Sequence, residues 1–206
     1  MRDLFDRGLS DLSTNPKRIE KKTNLKMSCV QTLTGIQVDC EPSMGGLKVV
    51  YIANSADVTS FEVTDGQITD ITMASGTTFK TYTFRRNTAS MTSTLSVDPA
   101  NGTSVATDVS LSFLKQDTQK RLEISALSIG ELVLMVQDAN GRYWFLGKDM
   151  PVMASAGGAE SGTTYTDGNR YTITLQDNSK DYPYEIKTAP ASNDDTNYVN
   201  IDNIVS

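Results

Sequence analysis

The stretch from Glu131 to Lys148 constrains this chain most. Two apolar runs flank Asn140-Gly141, the dipeptide that most readily supplies the two positive-φ residues of a type I′ turn, so the stretch predicts a β-hairpin. Its first arm, Leu132 to Val136, is apolar at every position, a pattern that buries both faces of a strand. The second arm carries the only tryptophan, Trp144, beside Phe145, and rings of that size need a broad surface to pack on. Leu132, Leu134, Val136, Trp144 and Phe145 are the hairpin's packing residues. A small subunit does not easily cover both faces of such a hairpin alone, which directs attention to a subunit interface.

At 206 residues the chain is long enough for one domain or a domain with appendages. Apolar residues are only 38% and charged residues 21%, so much of the surface must be Ser, Thr, Asn, Asp and Gly. Ser and Thr alternating with Val, Ile, Tyr and Phe is the composition of strands with one wet face. The net charge of −6 argues against general affinity for nucleic acid, which needs Lys and Arg against phosphates. A passive DNA channel is a different case, because mild like-charge repulsion keeps DNA off the wall. No run of eighteen apolar residues occurs, so no membrane-spanning helix or membrane insertion is expected, and the N-terminal residues lack the apolar core of a secretory signal. On that footing Cys29 and Cys40 are reduced thiols, with a small disulfide-closed loop as the alternative.

Residues 1–27 form a basic N-terminal arm, with Arg2, Arg7, Lys17, Arg18, Lys21, Lys22 and Lys26 against Asp3, Asp6, Asp11 and Glu20. It is either a loose leader or an arm that docks on an acidic neighbouring subunit. Strand signals begin after Gly45-Gly46, with Leu47 to Ala53. Asp65-Gly66 between Phe61-Glu62-Val63 and Ile68 to Met73 predicts a second hairpin, and Thr78 to Arg86 alternates as a two-faced strand. Ser90–Val97 and Thr103–Leu114 are long, Ser/Thr-alternating strands joined by a turn at Asp98-Pro99-Ala100-Asn101-Gly102. A long hairpin with one polar face folds poorly alone but pairs edge to edge with copies of itself. Thr92, Thr94, Ser96, Thr107, Val109 and Leu111 are the assembly and lumen candidates, and Val109→Asp should abolish assembly.

Residues 115–127 lack Gly and Pro and predict one flanking helix, with Leu122 and Ala126 on one face and Gly130 suited to the exit. That helix can cover one face of the opening hairpin, which moves the stronger assembly signal to residues 90–114. A small-residue loop follows at 154–162, where Gly157, Gly158 and Gly162 suit a mobile segment or close contact with a neighbour. Residues 169–176 read as a final strand, and from Asp177 a polar tail runs over the surface, with Asp194-Asp195 within it.

Chemistry-bearing patterns are sparse. The chain has no histidine, which removes Ser-His and Cys-His nucleophile pairs and histidine metal sites, and two cysteines make no zinc site by themselves. The Gly-rich loop lacks the Gly-Lys-Ser/Thr of a phosphate-binding loop and the frame of a nucleophile elbow. Scattered aspartates suit turns rather than acid/base work. The expectation is no enzyme, no cofactor and no metal.

In their order, Gly45-Gly46-Leu47 to Ala53, Asn140-Gly141 to Lys148, Gly157 to Gly162 and Asp167-Gly168-Asn169 to Leu175 resemble virion structural proteins of phages infecting gut Bacteroides-type bacteria, similar in plan to tail tube proteins. The resemblance covers about residues 28–185 and leaves out the arm. It implies a mainly β, tail-tube-like β-sandwich or barrel at 28–185 with one flanking helix and extended termini, residues 186–206 forming a polar C-terminal tail. It further implies six-membered rings that stack into a tube, long hairpins joining into a barrel around the lumen, and a place in the virion tail after synthesis in the host bacterial cytoplasm. The partners implied are further copies of the chain, other tail or neck proteins, and DNA in transient passage. The alternatives are a neck, connector or terminator ring, or a capsid decoration or adhesin module using Tyr165, Tyr171 and Tyr184 on ligand.

Overall fold

The computed structural model describes residues 33, 35–38, 40–100, 102–164, 166–189 and 198–206. The chain divides into two units, Met1–Cys40 and Glu41–Ser206. In the first, Leu33, Ile36 and Val38 are fully exposed in a stretch without regular structure. The basic arm, Cys29, Asn101, Tyr165 and Asp194-Asp195 lie outside the described residues.

The second unit is mainly β and sandwich-like. One sheet has seven strands in the order β2 (Val58–Thr64), β3 (Gln67–Met73), β11 (Tyr184–Ile186), β8 (Tyr143–Leu146), β7 (Leu132–Asp138), β1 (Leu47–Asn54) and β4 (Lys80–Tyr82). The other has four: β5 (Ala89–Asp98), β6 (Gly102–Leu114), β10 (Arg170–Ser179) and β9 (Met153–Glu160). Helix α1 (Thr118–Ile129) packs on β9 and β10, and a short helix α2 (Ile201–Ile204) follows near the C-terminus. Neither sheet closes into a barrel.

The apolar run of β7 is central. Leu132, Leu134 and Val136 join Val50, Ile52 and Leu146 against Val109, Leu111, Ile173 and Leu175 of the four-stranded sheet. Val133 and Met135 point the other way, with Ala53 and Phe145, into a second core closed by Ile68, Ile71, Phe79, Ile186 and Val199. Both faces of β7 are thus buried, as its sequence requires, but by the chain itself and not by a partner. The cover on the second face comes from a segment expected to be a surface tail. Val199, Ile201, Ile204 and Val205 pack into that core. The Phe79 N–H donates to the Ile204 carbonyl at 2.8 Å, and the Ser206 N–H to the Phe79 carbonyl at 3.0 Å. The strand expected over Thr78–Arg86 is confined to Lys80–Tyr82, where it pairs with β1, and Phe79 just before it bridges Val205 in parallel.

Several local expectations change in detail. Asp65 and Gly66 have φ of 53° and 79°, the type I′ pattern. Asn140-Gly141 does not: only Gly141 is left-handed, at 89°, and a three-residue loop spans Ala139–Gly141. The Asp138 carboxylate sets this geometry, accepting the N–H groups of Asn140 and Arg142 at 2.9 Å and Trp144 Nε1 at 3.3 Å. Asn140 instead ties down the chain before β1, accepting Met44 N–H at 2.8 Å. Helix α1 is capped by Asp117, whose side chain accepts the Lys120 N–H at 2.8 Å; the Lys120 ammonium first, and that backbone bond second, hold its carboxyl below the usual range. Gly130 ends the helix extended, at φ −78°, and not left-handed. Its small size matters here, since a Cβ would sit 3.0 Å from Leu132 Cδ2. Ile124 and Leu127 form the packed face of α1, whereas Leu122 is 57% exposed and Ala126 lies in the open, because the helix lies on β9 and β10 by one narrow side.

Gly147 is a sharper constraint. It leaves β8 at φ +94°, where a Cβ would approach the Leu132 carbonyl oxygen to 3.2 Å and Val133 Cα to 3.3 Å. Gly147→Ala is expected to cost about 2–4 kcal/mol, from left-handed strain plus the clash with backbone. Thermal unfolding checks this, and an unchanged melting temperature contradicts it.

Candidate assembly surface

The four-stranded sheet has two chemically opposite faces, and strand pairing fixes which residues share each. Ser90, Thr92, Thr94 and Ser96 of β5 stand opposite Ser110, Asp108, Ala106 and Ser104 of β6. On β10, Thr172, Thr174, Gln176 and Asn178 continue the same rows. Ala106 and, at the end of β6, Leu114 are the apolar side chains along these three strands' shared face. Cross-strand hydrogen bonds hold the polar side chains in place: Ser110 Oγ lies 3.2 Å from Thr174 Oγ1, and Gln176 Nε2 donates to Asp108 Oδ1 at 2.9 Å. No element of the described chain covers this face.

The assembly candidates therefore fall on both faces. Thr92, Thr94 and Ser96 are exposed on the polar face. Val109 and Leu111 are 0% and 1% exposed in the core between the sheets, and Thr107 lies with them at 0%, its hydroxyl 2.8 Å from Ser93 Oγ. Thr107 is not a lumen candidate, because period-two alternation places it with Val105 and Val109. The hairpin residues Leu132, Leu134, Val136 and Phe145 are core, and Trp144 is half-buried at the rim.

The stretch expected as a mobile loop is largely a strand. Residues 153–160 form β9, in which Gly157 pairs with Ile173 and Gly158 with Thr172. Small residues there accommodate close backbone, since a Cβ on Gly157 would sit 3.2 Å from the Thr172 carbonyl oxygen. Gly162, at φ +72°, belongs to the following loop, where Asp167 accepts the N–H groups of Thr163 and Thr164 at 2.9 and 2.8 Å. Those bonds lower the Asp167 carboxyl to about 2.

Both edges of the sheet are open. Each neighbouring pair in β5-β6-β10-β9 is antiparallel, so β5 and β9 run in opposite directions. Copies related by rotation can therefore join β9 of one to β5 of the next in antiparallel fashion and keep one continuous polar face. The distal end of the β5–β6 hairpin also projects past the core. Leu95 and Val97 point to the core side, opposite Val105 and Thr103, yet are 45% and 66% exposed. Sequence alternation places these two residues on the apolar face but does not reveal where the core beneath them ends.

Asp177, where the sequence places the start of the tail, sits inside β10, 2% exposed, with Oδ1 lacking any hydrogen-bond partner. Burial pushes its carboxyl up to about 6, only partly offset by the backbone of Gly147, the Ser179 hydroxyl and Lys148, while Asp149 adds to the rise. The tyrosines suggested for ligand contact are not gathered: Tyr171 is on β10 and Tyr184 on β11 of the other sheet, with Lys148 Nζ 4.7 Å above the Tyr184 ring. Among the described residues no three His, Cys, Asp or Glu side chains cluster to hold a metal ion, and no helix is long and apolar enough to cross a membrane. No protein-family model, curated protein or solved structure matches the chain.

Proposed function

We propose that this chain is a non-enzymatic structural subunit of a phage tail, whose copies assemble into stacked, six-membered rings around a channel for DNA. The observation that carries the reading is the four-stranded sheet, with an uncovered hydroxyl- and amide-rich face between two open edges of opposite direction. Turned inward, that face gives a wetted wall whose midline charge is Asp108 and whose one arginine, Arg170 at the end of the strands, is already ion-paired with Glu160 at 2.9 Å. Turned outward, the apolar side of the same sheet keeps its sandwich partner and α1. An exposed ten-residue edge strand such as β5 is a liability in a lone monomer, and pairing with a second copy removes it.

Electron microscopy and light scattering of the purified full chain test this directly. Rings or tubes are expected, and a persistent monomer or trimer overturns the reading.

A further inference from the structure

We infer that the groove between α1 and β9 seats the distal end of a neighbouring copy's β5–β6 hairpin. The inference rests on the edge-to-edge assembly proposed above. The groove holds about 470 Å³ and is lined by Ile124 and Ser128 of α1, Ala154 and Gly157 of β9, and Tyr171 of β10. It lies on the side of the sheet to which Ile124 and Leu127 pack, and therefore on the side to which Leu95 and Val97 point. When β5 of a second copy is laid against β9, those two side chains leave water and come under the neighbour's helix.

Charge fixes the same orientation independently. Between Asp70 and Asp98 the sequence carries Lys80, Arg85 and Arg86 and no acid, and both arginines are exposed just before β5. β9 ends at Glu160, which already pairs with Arg170 at 2.9 Å, and leads into the loop of Asp167, whose carboxylate, held ionised by the Thr163 and Thr164 N–H groups, is the negative charge there without a basic partner among the described residues. An antiparallel join sets the start of β5 beside the end of β9, arginines against carboxylates, and sets the hairpin's apolar end near Ala154. The opposite orientation would need parallel strands and would separate the charges. Leu95 and Val97, exposed and unexplained in one copy, thereby gain a binding site of fitting chemistry.

The full chain is made with photo-leucine in place of leucine, co-assembled with ¹⁵N-labelled chain, irradiated, and its cross-links located by fragment mass spectrometry. Adducts from Leu95 to residues 121–128 or 154–158 of the other isotopic copy are expected. Adducts from Leu95 to any other region of a second copy, or within its own chain alone, overturn the seat while leaving assembly standing. If the unmodified chain forms no assemblies, both the seat and the assembly reading fall. In parallel, Arg85→Glu combined with Arg86→Glu should reduce assembly at low salt at least tenfold while leaving the melting temperature of the single copy unchanged. Assembly equal to that of the parent chain overturns the charge-fixed orientation.

Discussion

At pH 8, Asp177→Asn is expected to raise the unfolding free energy by about 3 kcal/mol, whereas at pH 3.5 it should change it little. The folded carboxyl titrates near 6, against an ordinary value of 3.8. Between those values the folded chain holds a proton that the unfolded chain has released. Stability therefore falls as pH rises through that window and stays low above it. Asparagine keeps the shape of the side chain and never ionises, so it removes the penalty only where the aspartate would be charged. Urea unfolding at the two pH values measures the difference. An equal effect at both would mean that packing, and not ionisation, governs the site. Gly147, Ser179, Lys148 and Asp149 surround the carboxyl, and Asp149 is the other acid among them. Its own carboxyl is held low by Lys148 and by the backbone of Lys180, so it remains charged through the window.

Val109→Asp is expected to leave no folded protein. Val109 is fully buried between the sheets, opposite Met91 on one side and Leu175 on the other. The substitution loses about 2 kcal/mol of apolar burial and places an unpaired carboxylate in the core, together more than about 5 kcal/mol. Circular dichroism would show the loss. Ser96→Asp, on the exposed face of the same hairpin, should stay within about 0.5 kcal/mol of the parent. A folded, cooperative Val109→Asp variant would mean that the two faces of β6 have been exchanged. Loss of assembly by Val109→Asp would report unfolding, so the exposed residues of β5 are the ones that probe the interface.

The hairpin at 132–146 was legible because its signal is local: five consecutive apolar residues cannot lie half in water. The long strands at 89–114 were legible for the same reason, since alternation over many positions has one natural period. The type of turn at Asn140-Gly141 was not, because the Asp138 side chain outweighs the dipeptide's preference by satisfying three donors at once. β9 was hidden by its composition. Ala, Ser and Gly read as a loop, and only the pairing with β10, contributed by residues farther along the chain, makes them a strand. The end of the chain misled in a similar way. Its polar residues dominate the composition, while Val199, Ile201, Ile204 and Val205 are spaced too irregularly to announce the core they fill. For the candidate surface, the polar face of β5 was visible in sequence, but Thr107 shows that a threonine in an alternating strand reveals its face only through its neighbours.

Because the side chains of β7 alternate between two hydrophobic clusters, that strand is a party wall and not an outer wall. Neither cluster can melt while the other stays dry, since opening one strips one side of the strand on which the other is built. Two cores thereby behave as one melting unit, and a chain so constructed can be pushed or pulled at either sheet without coming apart in halves.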